Sequence, residues 1–131
     1  MTTPGTSIRA QFQPDVEEFI SDMRMFATGS YLNDEDKELW DEPFDPAVLP
    51  ELKSILETFL DALDLLGDDP DGPQLVSVVR PLYANLEDVN HQHADAVLEP
   101  EEKSEIMALV FRAAAASGAT DEALQELPEF E

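Results

Sequence analysis

From Pro50 to Leu66 apolar residues return every three or four positions: Leu52, Ile55, Leu56, Phe59, Leu60, Leu63 and Leu66. That is the period of one face of an α-helix, with Glu51, Lys53, Glu57, Asp61 and Asp64 falling on the other side. One stripe on one helix cannot offset the conformational entropy of ordering it, so other helices have to cover it.

The same period recurs on both sides. Val16, Phe19, Ile20, Met23 and Phe26 predict a first helix from Pro14 to about Ala27. Pro14 suits its first turn, Asp15, Glu17 and Glu18 its positive end, and Gly29 its stop. A third helix is expected from about Gln74 to Val97, with Leu75, Val78, Val79, Leu82, Leu86, Val89, His93 and Val97 as its stripe. Pro81 cannot donate the amide proton an interior position needs, which predicts a kink or break near Val78 to Arg80. A fourth helix starts at Pro100, buries Ile106, Leu109, Val110 and Ala113, and closes at Gly118.

Between these lie breakers. Gly67 to Pro73, GDDPDGP, is the clearest loop, and its shortness makes the helices it joins antiparallel neighbours. Asn33 can cap a short turn through Asp34, Glu35 and Asp36. Asp41 to Pro46 reads as extended, because a residue before proline avoids the helical region. Pro46 to Leu49 either opens the main helix or forms a separate turn. Thr120 caps a last short turn over Asp121 to Leu127. No alternating strand pattern appears. The expected fold is all-α: a compact bundle of four main helices with short extra turns and a proline-kinked third helix. Residues 1–13 are expected to be a flexible N-terminal tail, 14–127 a single helical domain, and 128–131 a frayed C-terminus.

Composition changes the picture through charge. Thirty carboxylates against seven Lys and Arg leave 30 − 7 = 23 excess negative charges in 131 residues. That makes on the order of 250 repelling pairs, each worth about 0.2 kcal/mol at ~25 Å in water and far less at 0.1 M salt. Folding is therefore expected to be salt-assisted. Such a surface disfavours nucleic acid and anionic membrane as direct partners and favours a basic protein surface. The absence of cysteine excludes a disulfide frame, a thiol nucleophile and a thiolate metal site. No basic-then-apolar leader opens the sequence, and no apolar run approaches the ~18 residues of a membrane span. A cytoplasmic location is the resulting expectation.

Candidate chemistry is sparse. His91 and His93 would share a face on a strand, but on a helix they stand about 200° apart. Glu87, Asp88, His91 and Asp95 recur at helical steps and form a candidate set for a divalent cation. His93, on the apolar stripe, reads as a core histidine. Asp68-Asp69-Pro70-Asp71-Gly72 suggests a calcium loop, but a frame with Gly72 sixth puts Gly67 first and Val78 twelfth, where oxygen ligands are needed. No phosphate-binding glycine loop, G-x-S-x-G or H-E-x-x-H is present. These patterns point to a non-enzymatic protein without a cofactor.

Glu87-x-Val89-Asn90 late in one helix, followed by Ser104-Glu105-Ile106 opening the next and closure at Gly118, resembles a family of small helical bacterial proteins of unknown function. The resemblance covers roughly half the chain and implies a helical fold without any chemistry.

The function expected from charge and missing motifs is a protein-interaction module binding a basic partner. An immunity- or antitoxin-like protein, or a nucleic-acid mimic, is a sharper form of the same idea. A metal- or ligand-binding domain is the competing one. Asp34, Glu35, Asp36, Trp40, Asp41, Glu42 and Phe44 are the candidate partner contacts, Trp40 and Phe44 as apolar anchors or as lids on the core.

Overall fold

The structure, a computed structural model, describes residues 7–29, 32–37 and 44–130. Every regular element among them is helical: α1 Ile8–Thr28, α2 Asp34–Lys37, a 3-10 turn Pro46–Val48, α3 Leu49–Leu66, α4 Gly72–Gln92, α5 Pro100–Ala116 and α6 Asp121–Leu124. The fold is all-α, with α1, α3, α4 and α5 as its long members. None of the described helices is long and apolar enough to cross a membrane.

α3 holds the centre. Leu49, Leu52, Leu56, Leu60 and Leu63 are fully buried, and α1 and α4 are its main neighbours. The turn at Pro46–Val48 is separate and leads straight into α3, with Asp45 Oδ1 accepting from the Ala47 amide at 2.9 Å.

α1 begins well before Pro14, which corrects the expected tail over residues 8–13. Ile8 and Phe12 extend the Val16 stripe by two further turns and are buried. Ser7 Oγ accepts from the Ala10 amide at 3.0 Å. The α1 start is also held from across the core: Asp64 of α3 accepts from the amides of Ile8 and Arg9 at 2.7 and 3.1 Å. A carboxylate at the positive end of a helix caps and stabilises it. Arg9 reaches Asp61 at 2.7 Å and Glu57 at 3.3 Å, and Gln13 donates to Glu57 at 2.7 Å. Pro14 thus lies inside the helix on its exposed side.

α4 starts in a reciprocal cap, Asp71 accepting from the Gln74 amide at 2.8 Å and Gln74 from the Asp71 amide at 2.9 Å. It runs through Pro81 without the expected break; the ring faces solvent, where water can serve the carbonyl it leaves unpaired. It stops at Gln92 instead of Val97. The cause is Asn90, buried in the last turn. Its Oδ1 accepts from the amides of Val97 and Leu98 at 3.0 and 2.9 Å, and its Nδ2 donates to the Leu98 carbonyl at 3.3 Å. A side-chain amide can imitate a backbone turn in this way, and it competes with continuation of the helix. The chain turns through Ala94 and Asp95 at φ 58° and 59°. Val97 is buried nonetheless, delivered by the turn. His93, at the end of α4, is half-buried and not the core histidine expected.

The loop after α3 is packed down. The Asp69 amide donates to the Ser117 carbonyl at 2.9 Å, and Gly118, at φ 96°, lies so close that a Cβ would collide with the Asp69 carboxylate. Thr120 caps α6 as expected, accepting from the Ala123 amide at 3.2 Å, but the helix ends at Leu124.

The last described residues are not frayed. Phe130 is only 3 % exposed and stacks on Tyr83, ring centres 4.6 Å apart. Its amide donates to Met107 Sδ at 3.2 Å, and Lys103 Nζ lies 5.2 Å from the centre of its ring. Burial pushes the Tyr83 hydroxyl up to about 12. Removing a buried aromatic leaves a cavity, so Phe130→Ala should cost about 3 kcal/mol in urea denaturation. A change near zero would restore the frayed end.

Candidate functional site

The predicted metal set is not assembled as expected, and most of the predicted partner contacts lie outside the described residues. Of the four metal candidates, His91 and Asp95 meet, Nδ1 to Oδ1 at 2.6 Å. The set presumed one helix through residue 95, whereas the Asn90 turn carries Asp95 off the helical track. Among the described residues no group of three or more His, Cys, Asp or Glu side chains converges to hold a metal. This corrects the reading of Glu87, Asp88, His91 and Asp95 as ligands. Of the expected partner contacts, Trp40, Asp41, Glu42 and the Asp34 side chain lie outside the described residues. Glu35 and Asp36 are exposed, Asp36 donating its amide to Asn33 Oδ1 at 2.9 Å. Phe44 is 5 % exposed and tilted against Phe26 at 6.5 Å, so it is a lid on the core and is not presented to a partner.

The structure brings together a different set. α1 and α5 run antiparallel and touch only sparsely, which leaves a groove between them. Its floor is apolar, made by Phe19, Met23 and Phe26 of α1 and by Leu56, Ile106 and Leu109 beneath. Met23 is buried, Phe19 half-buried, and Phe26 is 39 % exposed although it carries a full aromatic ring. The α1 wall carries Asp15, Glu18 and Asp22. The opposite wall carries Glu99, Glu101, Glu102 and Glu105.

Among the residues that line the groove, the cation is Arg112. Arg112 closes the Asp15 end, its Nη1 3.4 Å from Asp15 Oδ1 and its guanidinium 5.7 Å from the Phe12 ring centre. Lys103 of α5 is at the Phe130 ring and lines a neighbouring hollow that also includes Glu99.

Glu102 shows what the groove does electrostatically. It accepts from the Glu99 amide at 3.3 Å, which favours the ionised carboxylate and pulls its pKa down. Burial outweighs this and raises its pKa above the ordinary 4.5, with the charges of Glu99, Glu105 and Glu101 pushing the same way. The groove is therefore a place where negative charge is already crowded and partly dry.

Sequence reasoning missed this site because each part had an ordinary explanation. Phe19 and Phe26 counted as core, yet at 100° per residue they lie about 60° and 80° off the line through Val16, on the shoulder of the helix. Glu101 and Glu102 read as first-turn acids. The usable signal was Glu102, which shares the stripe of Ile106, Leu109 and Ala113 at steps of four, three and four. An acid on an apolar stripe marks a helix face that is not wholly core.

Comparison with protein-family models, characterised proteins and solved structures finds no match to this chain. The functional reading rests on the residues and their geometry.

The sign of the Glu102 shift gives a stability test. The folded state holds this proton more tightly than the unfolded chain does, so stability falls as pH rises through the interval between the ordinary and raised values. Ionised Glu102 destabilises the fold above that interval and not below it. Glu102→Gln keeps an acceptor for the Glu99 amide, and should raise Tm by a few degrees at neutral pH and low salt. The gain should vanish near about pH 3.5, where the carboxyl is protonated in both states.

Proposed function

We propose that this protein is a non-enzymatic interaction module that binds a basic surface of another protein through the α1/α5 groove. The observation that carries the reading is the groove itself: seven carboxylates, one Arg and an apolar floor with a part-exposed phenylalanine. Acid alone can serve solubility. Acid flanking exposed apolar surface has the composition of a binding patch, where buried aromatics supply affinity and charges steer the approach. The net charge of −23 extends the same field over the whole molecule and speeds encounter with a cationic partner.

Affinity capture at low salt should recover a basic protein, and direct titration of that purified partner should show binding that weakens at least tenfold from about 0.05 to 0.5 M salt. Recovery of no basic partner at any salt would reduce the acidity to a solubility feature and end this reading.

A further inference from the structure

The α1/α5 groove has a direction and a period as well as a sign. Phe19, Met23 and Phe26 succeed one another at steps of four and three along about 10 Å of α1, half-buried Phe19 and part-exposed Phe26 offering apolar surface on either side of the buried Met23. The acids form a row on either side of this strip, Glu18 and Asp22 from α1 and Glu101 and Glu105 from α5, all exposed. From Asp15 to Phe26 the groove covers about 16 Å, the length of about eleven helical residues.

Those features select the form of the occupant. An extended peptide takes affinity from the free backbone groups of a sheet edge, and among the described residues there is no strand. Both walls here are helices whose backbone groups are satisfied internally, so a partner gains only if its own backbone is satisfied too. A helix meets that condition. Two acidic rows with an apolar strip between them are complementary to a helix whose apolar stripe is flanked on both sides by Lys and Arg. A second copy of this chain would bring −23 to meet −23 and is disfavoured. Burial, and after it the charges of Glu99, Glu105 and Glu101, disfavour ionised Glu102, and an arriving cation replaces that repulsion with attraction.

We propose that the groove between α1 and α5 receives a basic amphipathic α-helix of a partner protein, seated by its apolar stripe on Phe19 and Phe26 and held by cations paired with Glu18 and Asp22 on one side and Glu101 and Glu105 on the other. This rests on the basic-partner reading above and specifies the partner's shape.

The test uses the full chain and two labelled peptides of about 18 residues, a length that covers the groove with a turn or more to spare at each end. One places leucines on a single helical stripe with Lys and Arg elsewhere; the other has the same composition in an order that leaves no apolar face. Fluorescence anisotropy at about 0.1 M salt should show the ordered peptide binding at least tenfold more tightly, and circular dichroism should show it gaining helix on binding. The double variant Asp22→Lys/Glu105→Lys should lose at least tenfold in affinity. Asp68→Lys/Glu122→Lys makes the same charge change at exposed positions away from the groove and should lose about threefold or less. Equal affinity for the two peptides would overturn the helix inference while leaving the basic-partner reading standing. Equal losses in the two double variants would overturn the assignment to this groove, and binding of neither peptide even at low salt would overturn both readings.

Discussion

Burial of the leucine ridge of α3 is the interaction on which the rest of the structure depends. Leu49, Leu52, Leu56, Leu60 and Leu63 are out of solvent along the whole helix, and the two neighbours that cover them, α1 and α4, are placed by that contact. Hydrophobic burial is non-directional, so it brings the helices together without fixing their ends. Polar contacts supply those limits. Asp64 sets where α1 starts, and Asn90 sets where α4 stops. Each does so through backbone amides that would otherwise lack a partner.

The open seam follows from the same arrangement. α3 is already flanked by α1 and α4, and α5 completes the core with Ile106, Leu109, Val110 and Ala113. Drawing α5 closer to α1 would press Asp22, Glu102 and Glu105 together away from water, and the desolvation of like charges opposes it. The apolar floor between the helices is therefore left partly open. A chain with −23 net charge meets this conflict wherever two surfaces approach; here it falls where phenylalanines lie beneath. The open seam and the crowding of acids along it have one physical origin in this molecule.

Much of the fold was legible because periodicity is a strong signal over long helices. The spacing predicts α3 from Pro50 to Leu66, and it runs from Leu49 to Leu66; the Pro100 start of α5 lies where the breakers put it, and the loop expected over Gly67 to Pro73 is shorter, since Gly72 and Pro73 already belong to α4. What was not legible depends on partners distant in sequence. Nothing near Ile8 announces that Asp64 will cap it, and nothing near Phe130 announces a stack on Tyr83. Prolines misled in both directions: Pro14 was read as a start and Pro81 as a break, yet each lies inside a helix on a face where water can serve the freed carbonyl. The candidate metal set failed for a local reason, because Asn90 ends the helix on which its spacing relied. The groove was hidden by its ingredients, acids and aromatics that each looked ordinary until two helices placed them opposite one another.

Native-state hydrogen exchange resolved by residue tests the central role of α3 most directly. Amides from Leu56 to Leu63 should exchange only through global unfolding, with an opening free energy equal to that from urea denaturation, while α6 and the turn at Asn33 to Asp36 open locally at much lower cost. Exchange of the α3 amides at a lower free energy than those of α1, α4 or α5 would contradict a structure organised around that helix.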